Sequence, residues 1–355
     1  MTPDETKNAL RVAAAAHGFQ AFGVATVAAP LRREYYLRWI AGGQNAAMGW
    51  MERNNERRLR PENFLPQARS IVMLGLNSRQ PPPALPYRVA SYALGEDYHN
   101  FIFKRLKKLC ALMRTWGGEQ RPCVDTAPVM EKPIAEQAGL GWQGKNTLLV
   151  NREHGAWLLL GTIFTTLELP PDAPERNNCG LCSRCADACP TGALADPYRL
   201  DARRCLAYLT VEHTGDFPPE FREAAGNRLF GCDTCADVCP WNRRAADATE
   251  EKLRPRPLPP DLRDSLAWTP QEYDARFAGT PLKRLGLARW LRNACVVLGN
   301  TGTALDLPAL EKLAAASDPA AAPAIASHAA WAIAKIKARA AAPDVPAAPA
   351  TPDGG

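Results

Sequence analysis

Apolar and polar positions alternate in two different periods along this chain. Residues 5–20 read as an amphipathic helix, with Leu10, Val12, Ala13 and Ala16 mostly on one side. Phe22-Gly-Val-Ala and Ser70-Ile-Val-Met-Leu-Gly-Leu read as short buried strands, separated by a charged helical region at roughly 31–60. Phe101 to Trp116 predicts a strongly basic helix, carrying Lys104, Arg105, Lys107, Lys108 and Arg114, and Val129 to Ala138 predicts another. Leu148-Leu-Val and Trp157 to Thr165 follow as strands. Strands alternating with helices over 1–170 suggest an α/β domain. The chain is helical again from about 281 to 339. There Leu287, Leu291, Ala294 and Val297/Leu298 make one apolar face, Gly299-Asn-Thr-Gly ends that helix, and Leu307 to Ala316 and Ile325 to Arg339 supply two more. Paired helices of this rhythm are similar to short HEAT-type repeats.

The predicted fold class is a multidomain α+β or α/β protein. Its parts are an α/β domain over 1–172, a cysteine-rich domain over 173–250 and a Pro-rich linker over 251–280. A HEAT-like helical region over 281–340 and an Ala/Pro-rich tail over 341–355, expected to be disordered, complete it. Arg254-Pro-Arg-Pro-Leu-Pro-Pro makes the linker extended and semi-rigid. A length of 355 residues with 46% hydrophobic and 23% charged residues suits a globular protein with a substantial core. Met1-Thr-Pro-Asp-Glu-Thr is unlike a secretory signal, and no apolar run reaches the ~18 residues of a membrane span, so a cytoplasmic protein without membrane contact is expected. A net charge of +6 permits an anionic partner without requiring one.

The eleven cysteines change the picture most. In a reducing compartment their clustering points to metal rather than disulfides. Cys179-x2-Cys182-x2-Cys185-x3-Cys189-Pro190 is the bacterial ferredoxin run, in which three thiolates serve one cubane and the fourth turns to a second. Cys205 and then Cys232-x2-Cys235-x3-Cys239-Pro240 complete eight ligands for two [4Fe–4S] clusters. Reciprocal sharing assigns Cys179, Cys182, Cys185 and Cys239 to one cluster and Cys189, Cys205, Cys232 and Cys235 to the other. Cys205 is the outlier, because 26 residues separate it from Cys232. Two structural zinc sites would explain Cys-x2-Cys pairs, but not a triple run ending in Cys-Pro followed by a second Cys-Pro. Cys110 and Cys295 sit in apolar helical patterns and read as buried, inert thiols.

Gly139-Leu-Gly141-Trp-Gln-Gly144-Lys145-Asn146 fits G-x-G-x-x-G, and nearly fits a phosphate loop. Context argues against both. A helix precedes and a strand follows, the reverse of a dinucleotide fingerprint, and Asn146 stands where a Mg²⁺-binding hydroxyl is needed. A plain turn, or a close approach to a bulky ligand with Lys145 meeting an anion, remain the readings of this loop.

Several segments together resemble epoxyqueuosine reductase. They are Cys123-Val-Asp125-Thr-Ala-Pro128, Glu131-Lys-Pro, Gly139 to Thr147, Ser91-Tyr-Ala-Leu-Gly-Glu-Asp-Tyr-His99, and Asp201 to Thr210. Gly231-Cys-Asp-Thr-Cys-Ala-Asp-Val-Cys-Pro-Trp-Asn242 and Arg289-Trp-Leu-Arg-Asn293 match as well, so the resemblance covers roughly residues 5–340. It implies reduction of the epoxide of epoxyqueuosine to queuosine at the wobble position of the tRNAs for Asn, Asp, His and Tyr. It also implies a cobalamin-binding α/β domain, a ferredoxin-like two-cluster domain and C-terminal helical repeats. Cobalamin, as cob(II)alamin with no protein imidazole under the cobalt, would receive electrons from the clusters. The implied partners are a tRNA anticodon stem-loop and an external donor of the flavodoxin or ferredoxin type, and a monomer is expected.

Asp125 matches the family's proton donor, a role that requires a raised pKa. On residue pattern alone it reads as a helix cap or salt-bridge partner. Arg53, Lys145, Asn146, Ala207 and Tyr208 are candidates for cobalamin contact, with an exposed surface arginine as the alternative for Arg53. Tyr98 and His99 are candidates for the substrate pocket or for a surface turn. Residues 281–339 carry eight Lys/Arg and three acids, so Lys283, Arg284, Arg289 and Arg292 are candidate tRNA contacts. The rival readings are a corrinoid reductive dehalogenase-like enzyme and a plain two-cluster electron carrier.

Overall fold

The computed structural model describes residues 1–316 and 323–341; of the tail expected to be disordered, 341–355, all but Ala341, which ends a helix, lies outside the described residues. The chain opens with α1 (Pro3–Ala16), whose first turn is closed by a capping box between Thr2 and Glu5 with Pro at the first position. Leu10 and Ala14, one turn apart, carry its buried face, while Val12 points to solvent. There follow β1 (Ala21–Thr26), α2 (Arg33–Ala41), α3 (Asn55–Leu59), β2 (Ser70–Asn77), β3 (Arg88–Val89), α4 (Tyr98–Thr115) and β4 (Gln120–Cys123). Then come α5 (Glu131–Gln137), β5 (Trp142–Gln143), β6 (Leu149–Val150) and β7 (Leu158–Thr165).

The main sheet has the order β1-β2-β7-β4. Every pairing in it is antiparallel, so of the two expected classes, α+β and α/β, this sheet has the strand directions of the first. Helices cover both faces of the sheet, as they do in parallel folds. All eight residues of β2 are buried. Val72, Leu74 and Leu76 face one core with Leu10, Phe101 and Leu106, whereas Ile71 and Met73 face a second with Phe64, Ile134 and Ala135. Strand β4, absent from the sequence reading, is an edge strand, the one place where Pro122 costs no ladder bond.

The cysteine-rich segment is nearly all loop and short helix: α6 (Arg184–Asp187), α7 (Leu206–Val211), α8 (Pro219–Ala225), β8 (Arg228–Phe230) and α9 (Thr234–Asp237). Strand β8 pairs in parallel with β3 from the first segment. The expected linker departs from the reading. Its longest stretch without helix is 254–261; α10 (Leu262–Ser265) and α11 (Pro270–Arg276) follow, and Leu262, Leu266, Tyr273 and Phe277 are buried. They share one core with Tyr87, Leu94 and Phe230 and with α12 (Leu287–Thr301), α13 (Leu307–Ala316) and α14 (Pro323–Ala341). The prolines punctuate this stretch without releasing it, because four large apolar side chains find partners. Helices α12 and α13 both pack on α14. No described helix is long and apolar enough to cross a membrane.

Candidate functional site

The eight ferredoxin-type cysteines gather around two cavities. Cys179, Cys182, Cys185 and Cys239 line one of about 230 Å³, walled by Trp241 and Asn178. Cys189, Cys205, Cys232 and Cys235 line another, of about 430 Å³. The short spacings make this possible. Each Cys-x2-Cys turn leads into a one-turn helix, α6 or α9, and the cysteine of each Cys-Pro lines the cavity of the other run. Cys205 joins from a distant loop, at the residue that opens α7. The thiols surround space instead of meeting at a point: among the described residues no three His, Cys, Asp or Glu side chains are placed to hold a single metal ion. A cubane, not a zinc ion, fits such donors. Cys110 and Cys295 are fully buried elsewhere, and burial pushes their thiols up to about 11 and about 12.

A third cavity, of about 310 Å³, holds Asp125, Glu131, Arg58 and Trp39. It shares Lys132, Thr147 and Leu200 with the 430 Å³ cavity, which in turn shares Asn146 with the smaller thiol cavity. The three spaces form a row. Asp125 and Thr147 both hold left-handed backbone conformations, with φ of 51° and 63°. Non-glycine residues in that region carry strain of about 1–2 kcal/mol, a recurrent mark of functional loops.

Asp125 is one end of a hydrogen-bonded chain. Its Oδ2 lies 2.8 Å from His99 Nε2, and His99 Nδ1 lies 2.7 Å from Asp97 Oδ1. Asp97 also accepts from Arg284, whose guanidinium lies alongside the imidazole. Asp97 is the N-cap of α4, so its carboxylate and the ring two residues on are set by the start of that helix. Tyr98 stacks on His99 with ring centroids 4.0 Å apart. On the other side the Asp125 N–H donates to Glu131 Oε1 at 3.0 Å.

The charges sort unequally. Burial pushes the Asp125 carboxyl up, but the hydrogen bond and charge of His99, with Tyr98 and Arg284, outweigh it and leave the group below the ordinary range. The raised pKa expected of Asp125 is therefore corrected: the imidazole partner reverses the effect of burial. Glu131 lacks such a partner. Burial and the Asp125 charge push it to about 8, so it holds a proton at neutral pH. Burial pulls His99 down, yet its two carboxylates overcome that and raise it. Lys132 lines two of the cavities, and partial desolvation there holds its ammonium below the usual range.

The other candidates divide. Arg53 is exposed and lines none of these three cavities; Arg58, beyond the left-handed Asn54 and one helix start later, turns inward to the Asp125 cavity. Lys145 Nζ donates to Cys182 O at 2.9 Å, and Asn146 Nδ2 to Cys235 O at 3.2 Å, so both brace the cysteine loops. Their glycine-rich loop is a tight turn: a Cβ on Gly141, at φ +147°, would lie 2.1 Å from Val150 O. Ala207 lines the 430 Å³ cavity, but Tyr208 does not. Consecutive helical side chains diverge by ~100°, and the Tyr208 hydroxyl accepts from Ala47 N inside a separate core.

Of the candidate RNA contacts, Lys283 is exposed and Arg284 is engaged with Asp97. Arg289 donates to Val211 O at 2.7 Å, and the fully buried Arg292 donates to Leu209, His213 and Gly215 carbonyls, each at 2.7 Å. They satisfy carbonyls at and just past the C-terminal end of α7, where cations are favoured. Arg289 and Arg292 are thus corrected from phosphate contacts to braces of the helix that Cys205 opens. Sequence pattern alone assigns no role to Asp97, Glu131, Lys132 or Arg58; the Asp-x-His spacing at the start of a helix is the available signal for Asp97.

Comparison with known proteins follows the same division. Residues 178–242 match the 4Fe-4S double cluster binding domain, and residues 58–126 match the family Epoxyqueuosine reductase QueG. The chain is 42% identical to the epoxyqueuosine reductase of Pseudomonas aeruginosa, over 84% of this chain and 86% of that one. It is 40% identical to that of Escherichia coli, over 90% and 86%. A solved epoxyqueuosine reductase with an epoxyqueuosine-modified tRNA-Tyr stem loop superposes with a TM-score of 0.87 at 32% identity, covering 94% of this chain and 90% of that one. With two cysteine-lined cavities and a carboxylate–imidazole chain in a row, and with these relatives along most of its length, the chain belongs to the epoxyqueuosine reductase family.

Proposed function

We infer that this protein reduces epoxyqueuosine to queuosine at the wobble position of tRNA, using two [4Fe–4S] clusters and a cobalamin. The observation that carries the reading is the row of cavities, in which the Asp125 site opens directly on the space beside the second set of thiols. Removing the epoxide oxygen as water takes two electrons and two protons. The thiol-lined cavities supply a route for the first, and the chain of titratable groups supplies the second.

Cobalamin is large, with an apolar ring edged by amides. The 310 Å³ cavity, joined to the part of the 430 Å³ cavity walled by Tyr98, Lys132, Leu148 and Trp157 rather than by thiols, suits it. Arg58 Nε, Gln143 Oε1 and Trp157 Nε1 on their walls are buried without a partner among the described residues, the kind of group that a ring of amides would satisfy. Arg58, Gln143 and Lys132 would hold its side chains and Ala207 would lie against its face. Bound there, it would supply a cobalt centre able to attack or reduce the epoxide.

The chain's own residues manage the protons. Asp125, at the mouth and ionised at rest, relays a proton received from His99 to the oxygen that develops negative charge as the ring opens. His99 reprotonates Asp125 across 2.8 Å, and Asp97 and Arg284 fix the orientation of the imidazole. Glu131 is a second protonated group beside Asp125. Lys283 and neighbouring helical residues, read as a HEAT-like unit, would contact the anticodon stem-loop. The test is anaerobic turnover of epoxyqueuosine-containing tRNA by protein reconstituted with iron, sulfide and cobalamin, followed by nucleoside mass spectrometry. Cobalamin-dependent loss of one oxygen is expected; none, with clusters intact and corrin bound, would sink the reading.

A further inference from the structure

The row of cavities has two ends. At one stands Asp125. At the other the cavity of Cys179, Cys182, Cys185 and Cys239 shares no lining residue with the Asp125 cavity. The cover over this far end is thin. Leu181, between Cys179 and Cys182, has 102% of its reference exposure, the highest of the large apolar side chains described. Beside it Gly180, at φ +51°, has open space where a Cβ would stand. Among the described residues none covers this bare apolar tip.

Arg176, Arg184 and Arg243 flank the walls of this cavity along the chain. Each is exposed, and each lies within two residues of a wall residue of the cavity: Asn178, Cys185 and Trp241. None forms an ion pair among the described residues, unlike nearby Arg152, which pairs with Glu175. The nearest carboxylate in the loop, Asp187, accepts from the Ser183 hydroxyl at 2.7 Å. An apolar centre with an unpaired cationic rim has the composition of a small, transient protein interface.

We propose that this face docks an acidic one-electron carrier protein, with Leu181 at the centre of contact and Arg176, Arg184 and Arg243 at its rim. The proposal rests on the reading of the two-cluster segment as the electron route. An electron leaves the reduced cofactor of the carrier and enters the cluster held by Cys179, Cys182, Cys185 and Cys239. Two such transfers, each oxidising one carrier, supply one epoxide reduction. The opposite end of the row is left for the stem-loop, so carrier and RNA need not compete. Steering by the arginines speeds encounter and makes it sensitive to salt.

The experiment uses the full chain with both clusters reconstituted. Bleaching of the visible cluster absorption is followed by stopped flow with reduced flavodoxin, an acidic flavin carrier, and separately with dithionite, which needs no docking. In R176E/R184E/R243E, reduction by flavodoxin should slow about tenfold or more and lose its salt dependence, with dithionite bleaching and retention of the stem-loop unchanged. Leu181→Ser should slow the flavodoxin reaction without altering its salt dependence, and it serves alone if the triple variant fails to hold iron. Equal flavodoxin rates in wild type and variants would overturn the docking face. So would loss of stem-loop binding with an unchanged flavodoxin rate. Failure of dithionite to bleach the wild-type clusters would instead overturn the electron-route reading, and the proposal with it.

Discussion

The thiol cavities and the Asp125 cavity adjoin each other but are assembled by opposite means. Seven of the eight clustered thiols come from two short runs, 179–189 and 232–239, and only Cys205 arrives from elsewhere. The proton site draws Asp97 and His99 from the start of α4, Asp125 from the loop after β4, Glu131 from the start of α5 and Arg284 from just before α12. Spacing along the chain builds the first. The second exists only once distant elements have packed. Local runs tolerate rearrangement around them, whereas a site built from four elements fails when any one shifts.

The largest effect should come from the thiol that breaks the local pattern. Cys205→Ser is expected to lower iron from about eight to about four per chain and to abolish turnover; full iron content would remove Cys205 from the ligand set. Next, Asp125→Asn should keep its iron and lose turnover by about 10²–10⁴-fold, the range for a positioned acid. Wild-type rates in that variant would end its role.

A smaller effect is expected at His99, which acts through Asp125. His99→Gln should slow turnover by roughly tenfold to a hundredfold and change the pH profile. In the wild type the alkaline fall should reflect His99 and Glu131, the latter near 8; in the variant the His99 limb should vanish. An unchanged profile would reduce His99 to packing. The same group is linked to stability. Its folded pKa is raised, so its contribution is complete below the unfolded value of ~6.5 and lost as pH rises through the folded one. Asp97, held at about 2, behaves in the opposite sense: its contribution is present above ~3.9 and lost as pH falls through about 2.

The mildest test separates two basic residues that the sequence grouped together. Arg292→Met should destabilise by roughly 3 kcal/mol through its orphaned carbonyls, seen as a lower Tm and weaker iron retention, with the salt slope of RNA binding intact. Lys283→Ala should leave Tm alone and reduce that slope by about one. Matching losses of RNA affinity would return Arg292 to the interface.

Much of the fold was legible where periodicity is strong. The helix read from Phe101 to Trp116 is α4, Leu307 to Ala316 is α13, and the two long strands are β2 and β7. Strand direction was not legible, because an antiparallel strand buried on both faces has the same apolar run as a parallel one. The Pro-rich stretch hid α11, whose Tyr273 and Phe277 are recognisable as core only beside Trp290.

What the sequence alone determined is the cysteine chemistry, since ligand type and short spacing are covalent properties of the chain. The tertiary structure decided which of two neighbouring arginines, Arg53 or Arg58, reaches the cavity, and it turned Arg289 and Arg292 from a basic face into braces. It also decided the proton inventory. Desolvation and hydrogen bonding are set by neighbours in space, and they push the carboxyls of Asp125 and Glu131 in opposite directions although only five residues lie between them.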